Sequence, residues 1–116
     1  NPGSNAPLNG YKGNVWEGGH RVPAIAYWKN EISPKEVDQT IMSMDIFPTI
    51  VDLMDSTNQT EIDFDGESFL GLLKDTATVI QNRELFWRFG KNKKAVRLKE
   101  WKYIVSGNYK FLLSKP

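Results

Sequence analysis

Hydrophobic spacing changes along the chain, and each change predicts a different element. Val22-Pro23-Ala24-Ile25-Ala26-Tyr27-Trp28 is continuously apolar and bounded by turn residues, which predicts a strand buried on both faces. Pro23 fits only its first residues or an edge. After the Ser33-Pro34 turn, Val37 to Ser43 reads as extended, and Asp45 is placed to cap a helix running to about Met54. Ile46, Phe47, Ile50, Val51 and Met54 share one face of that helix, and Pro48 sits in its first turn, where a missing N–H costs nothing. Ser68 is placed to cap a short turn that buries Phe69, Leu70, Leu72 and Leu73. From Glu84 the period becomes two. Leu85, Trp87 and Phe89 alternate with Phe86 and Arg88, and Trp101, Tyr103 and Val105 alternate with Lys102 and Ile104. With Ala95 to Leu98, Tyr109 to Leu113 and the intervening turns, the tail predicts an antiparallel meander of three or four strands. Residues 1 to 14, rich in Gly, Pro and Asn and lacking either period, predict a loop of the kind that often carries function. The class is α/β, or α+β for the chain taken alone, with no internal repeat.

Composition narrows the classes of function. The 116 residues are 40% apolar and 25% charged, with a formal net charge of +1, as in a soluble globular domain. The charges are interspersed, so neither nucleic acid nor an anionic membrane is an expected partner. The local cluster Lys91, Lys93 and Lys94 lies in a turn and reads as a solvated loop. There are no cysteines, which removes disulfides and thiolate chemistry. No apolar run is long enough to span a bilayer. The start at Asn1 rather than Met suggests an excised or processed piece. Asn58-Gln59-Thr60 is an N-glycosylation sequon in a polar connection.

The residue that most repays attention is Lys12, in Gly10-Tyr11-Lys12-Gly13. Flanking glycines let an ammonium and nearby backbone N–H groups approach an anion such as sulfate or phosphate without hindrance. Taken alone, an exposed structural lysine is the favoured reading, since this is not a phosphate-loop sequence. Glu17 and Arg21 read as a charge pair pinning the loop, rather than as substrate contacts. His20, the only histidine, reads as structural. Trp16, Trp28, Trp87 and Trp101 read as core packing in preference to platforms for a sugar ring. Asp63 and Asp65 read as turn or capping groups, so no metal ligands are assigned.

Context changes the reading of Lys12. Lys12-Gly13-Asn14-Val15-Trp16-Glu17-Gly18-Gly19-His20-Arg21-Val22-Pro23 closely resembles a signature stretch of sulfatases of the arylsulfatase type, within the alkaline-phosphatase-like superfamily. Pro7-Leu8, Ala24 to Trp28, Ser43 to Thr49, Phe64 to Ser68, Leu72-Leu73, Leu85 to Trp87, Ala95 to Arg97 and Trp101 to Tyr103 follow in that family's order, so the resemblance runs from residue 5 to about residue 105. It implies the C-terminal portion of such an enzyme. Residues 1–80 would be the end of the catalytic α/β domain, with its last strand and helix, and residues 81–116 a small, incomplete antiparallel sheet. Lys12 matches the lysine that contacts the substrate's sulfate, which makes it both a catalytic and a substrate-binding candidate.

The resemblance also implies a calcium ion and a formylglycine, made from Cys or Ser in a Cys/Ser-x-Pro-x-Arg motif. Neither that motif nor the metal's Asp-Asn pair occurs here, so no cofactor is expected within this chain, and the chain alone is expected to be inactive. A secreted, periplasmic or lysosomal location is implied. Rival readings are a phosphonate or phosphodiester hydrolase of the same superfamily and a non-catalytic interaction module derived from a sulfatase. A strand deprived of neighbours would leave an apolar face and favour self-association.

Overall fold

The computed structural model describes residues 3–54, 62–76, 80 and 83–114. The sequon at Asn58 therefore lies outside the described residues. Two compact units form. One joins residues 3–24 to residues 83–114, and the other is drawn from the chain between them.

The first unit is built on an antiparallel meander in the order β1 (Leu85–Phe89), β2 (Lys93–Leu98), β3 (Trp101–Ser106) and β4 (Tyr109–Ser114). The expected meander forms with four strands, and positive φ angles at Gly90, Lys99 and Gly107 turn the chain at each hairpin. Register pairs Trp87 with Ala95, Ala95 with Ile104 and Ile104 with Phe111. One face is thereby lined by Ala95 and Ile104, onto which Val15 packs, with Trp16, Trp87, Phe111 and Leu113 around them. Burial at this small core is the main apolar contribution to the unit, about 1.5–3 kcal/mol for each fully buried large aliphatic side chain.

Alternation places Lys102 on the same inner face as Ile104, and Trp101 and Tyr103 on the outer one. Trp101 is accordingly half exposed, as is Trp28 in the second unit, so neither is the core residue expected of it. Trp16 and Trp87 do pack against the core.

Segment 3–24 folds as a loop carrying one short helix, α1 (Glu17–His20). The run from Val22 to Trp28 does not form the expected buried strand. It is exposed throughout, with Val22 at 77% and Ile25 at 94%, and pairs with no strand among the described residues. A doubly buried strand needs ladder partners and a layer on each face, and this run adds to neither edge of the meander, which pairs only in chain order.

In the second unit, a 3-10 turn (Ser43–Asp45) leads into α2 (Ile46–Leu53), followed by α3 (Leu70–Leu73). Asp45 marks the helix start as expected, but its buried carboxylate turns backwards and across. It accepts hydrogen bonds from the Met42 N–H at 2.7 Å and the Glu67 N–H at 3.0 Å. Thr49 donates to the Asp45 carbonyl at 2.6 Å and accepts from the Phe69 N–H at 3.1 Å. Gly66 fits this junction because a Cβ there would stand 2.2 Å from the Met44 carbonyl oxygen.

These bonds bury the face of α2 that carries Pro48 and Thr49, and they leave Ile46, Phe47 and Met54 at least half exposed. The apolar stripe expected to face inward thus faces largely outward. The Ser68 hydroxyl accepts from the Leu70 N–H at 3.3 Å, and of the four apolar residues expected to be buried here Leu72 is, while Phe69, Leu70 and Leu73 are half-buried. No helix among the described residues is long and apolar enough to cross a membrane.

Candidate functional site

Lys12 stands at the apex of a loop closed at its base by backbone. The Gly18 N–H donates to the Asn9 carbonyl at 2.8 Å, and the Asn5 side-chain amide donates to the carbonyls of Gly18 at 2.8 Å and Gly10 at 3.2 Å. Gly10 and Gly13, both at φ +94°, take left-handed turns on either side of the lysine. At Gly18 the fit is steric, since a Cβ would lie 2.5 Å from the Gly10 carbonyl oxygen.

The loop therefore has a defined shape, and Lys12 projects from it exposed, with no hydrogen bond or ion pair among the described residues. An open cleft is lined by Tyr11, Asn14 and Trp16 from the loop and by Lys93 and Ser106 from the sheet, and Lys12 is not part of its lining.

Below the apex, the loop is fastened to the sheet by apolar and ionic contacts. Val15 is 2% exposed in the core, and the Trp16 ring lies 4.8 Å from that of Phe111. Glu17 accepts from Lys102 Nζ at 2.7 Å and from Arg97 Nη2 at 2.8 Å. The sequence-based pairing of Glu17 with Arg21 exists only as a looser 3.9 Å approach to a part-exposed guanidinium. Arg97 and Lys102 are direct cross-strand partners, 5% and 1% exposed.

Two cations facing each other on a buried face would repel, and the Glu17 carboxylate between them supplies the compensating charge. His20 completes the cluster. Its ring stacks on Trp87 at 4.5 Å, Lys102 Nζ donates to its Nε2, and the same ammonium lies 4.5 Å from the centre of the Trp87 ring. His20 is thus packed within the cluster.

The charges in this cluster are perturbed. Burial would raise the Glu17 carboxyl, but hydrogen bonds and charge from Lys102 and Arg97 outweigh it and hold the group below the usual carboxylate range. Burial pushes the Lys102 ammonium down despite its bond to Glu17. The partners thus point in opposite senses, one favouring the ion pair and one opposing it. The Glu17 direction governs the pair, because its carboxylate meets two cations while Lys102 shares one anion with Arg97. His20 is lowered by burial and then by the Lys102 charge, which favours the neutral ring that accepting from Lys102 at Nε2 requires.

Sequence reasoning singled out Lys12 but missed Arg97 and Lys102. The signal was present in the alternation itself, which puts both on the face of Ala95 and Ile104. Asp63 and Asp65 are exposed, and among the described residues no three His, Cys, Asp or Glu side chains gather to hold a metal. The calcium implied by the resemblance has no fitting donor set there, so no step is derived through it.

Comparison with known proteins identifies the family. The sulfatase family model matches residues 2–56. An arylsulfatase of Hemicentrotus pulcherrimus is 36% identical over 95 residues, covering 82% of this chain and 17% of the relative. The steryl-sulfatase of Mus musculus is 38% identical over 85 residues, covering 72% of the chain and 14% of the relative. The uncharacterized sulfatase YdeN of Escherichia coli is 33% identical over 85 residues, covering 70% and 15%. The chain therefore spans about one sixth of the length of these relatives, and over that span it belongs to the sulfatase family.

Proposed function

We propose that this chain supplies the sulfate-binding lysine of an enzyme that hydrolyses sulfate esters. The observation that carries the reading is Lys12 itself, an exposed ammonium with no partner among the described residues, displayed by a loop whose shape is fixed on both sides. Such a group would neutralise part of the charge on a bound sulfate and on the ester oxygen as the S–O bond breaks. It costs little reorganisation at the moment of reaction, because the loop is already closed at Asn9 and Gly18.

In this reading residues 1–80 derive from the end of the catalytic α/β domain and residues 81–116 from the appended sheet. The full-length protein would provide the calcium site and the formylglycine nucleophile, so the isolated chain is inactive. Exposed Ile25, Tyr27, Phe47 and Met54 then belong to surfaces that the rest of the enzyme covers, and they favour self-association of the chain alone. A secreted, periplasmic or lysosomal location follows from the family resemblance.

The test is Lys12→Ala in the full-length enzyme, assayed with 4-nitrophenyl sulfate. Losing one charge-stabilising donor is expected to lower kcat by about 100- to 1000-fold, with the denaturation midpoint unchanged. Turnover equal to that of the parent discards the assignment.

A further inference from the structure

The Glu17 cluster is an uneconomical way to hold a sheet together. A lysine at 1% exposure and an arginine at 5% occupy inward positions that the strand alternation would equally give to Val, Ile or Leu. Replacing a buried ion cluster by apolar side chains of similar volume is often neutral or stabilising, so the pull towards one anion is better explained by orientation than by stability. Glu17 is that anion, and it comes from outside the sheet. It sits at the first residue of α1, beside the Gly18 N–H that closes the loop under Lys12. Val15 and Trp16 fix how deep the loop sits, but apolar contacts tolerate sliding. A carboxylate gripped from two adjacent strands at 2.7 and 2.8 Å does not.

We propose that Lys102 and Arg97 are positioning residues for the reaction: through Glu17 they lock the loop in register with β2 and β3, so that the sheet sets where the Lys12 ammonium meets the sulfate. The proposal rests on the assignment of Lys12 to sulfate binding. His20 and Trp87 support it by walling off the Lys102 ammonium, which leaves Glu17 as its one anionic partner among the described residues.

The experiment is a double-mutant cycle in the full-length enzyme, using Lys102→Met, Lys12→Ala and the combination. Two quantities are read, kcat/KM for 4-nitrophenyl sulfate and the inhibition constant of inorganic sulfate. A misplaced binding group costs on the order of tenfold to a hundredfold. Lys102→Met is therefore expected to lower kcat/KM and weaken sulfate inhibition by at least about tenfold, Lys102→Arg to recover most of both, and Lys102→Met to add less than about twofold in the Lys12→Ala background.

A Lys102→Met enzyme with parental sulfate inhibition, or with a loss that adds in full to that of Lys12→Ala, overturns the positioning role. If Lys12→Ala itself leaves sulfate inhibition unchanged, the sulfate assignment fails instead, and the two failures are told apart. Should Lys102→Met not fold, Arg97→Met, which leaves Glu17 its bond to Lys102, is carried through the same cycle with the same outcomes.

Discussion

Truncating Glu17 to alanine should unsettle the first unit more than any other single change to its charged residues. The substitution removes the carboxylate met by Lys102 Nζ at 2.7 Å and by Arg97 Nη2 at 2.8 Å. It leaves two nearly inaccessible cations opposite each other across β2 and β3. Removing one partner of a buried ion pair typically costs about 3–5 kcal/mol, most of it the desolvation of the charge left behind. Here the loss should fall at the lower end, about 3 kcal/mol by the same reasoning, because Lys102 keeps its contacts with His20 and the Trp87 ring. Stability of a domain amounts to roughly 0.05–0.15 kcal/mol per residue, so a loss of that size is a large fraction of the whole.

Denaturant titration followed by tryptophan fluorescence measures it, since Trp16 and Trp87 lie against the packed face. Lys102→Met provides the internal comparison. It places an apolar side chain beside Ile104 and leaves Glu17 its bond to Arg97, so it should cost clearly less than Glu17→Ala. The reasoning is refuted if Glu17→Ala shifts stability by less than about 0.5 kcal/mol, the range of an ordinary surface change, or if Lys102→Met proves the more damaging of the two.

His20 gives a pH dependence of defined sign. Burial and then the Lys102 charge lower its folded-state pKa, so the unfolded chain takes up a proton near pH 6.5 that the folded chain refuses. Its contribution is complete above that pH and declines as pH falls towards the lowered value; a denaturation midpoint that does not move between about pH 7 and pH 5.5, or moves equally in His20→Gln, contradicts this. Gly18→Ala should cost about 1–3 kcal/mol by overpacking, since the new Cβ meets backbone oxygens of Gly10 and Asn9 at 2.5 and 2.8 Å, which cannot swing aside. Gly3→Ala, with open space around it, is the control, and equal midpoints for the two variants would show that the loop is not closed as described.

What could be read from the sequence is what short-range chemistry determines. The meander was legible because period-two alternation and turn residues at Gly90, Lys99 and Gly107 act locally. The start of α2 was legible because Asp45 and Pro48 carry their preferences with them. The failures all depend on distant partners. Whether Val22 to Trp28 becomes a strand depends on neighbours to pair with, which no apolar run can supply for itself. Which face of α2 is buried was settled by hydrogen bonds from Glu67 and Phe69, about twenty residues away, to Asp45 and Thr49. Glu17 and Lys102 are 85 positions apart. A lysine in a strand reads as solvent-facing; alternation puts it on the face of Ile104, and the register that sets it opposite Arg97 comes only with the folded sheet.

The stretch from Lys12 to His20 can now be understood as a division of labour among neighbouring residues. Val15 and Trp16 are held in apolar packing, Glu17 in an ion cluster, Gly18 in a backbone closure and His20 against an indole, yet Lys12 makes no hydrogen bond or ion pair with any of them. Fixing the backbone costs roughly 1–2 kcal/mol per ordered residue, and burying Lys102 adds a desolvation cost of its own. A solvated lysine needs no such scaffold, because a mobile loop would expose it equally well. If Lys12 meets a sulfate as proposed, the closed loop holds its ammonium at one place for that anion, and this ties the packing of the small sheet to the proposed chemistry of a single side chain.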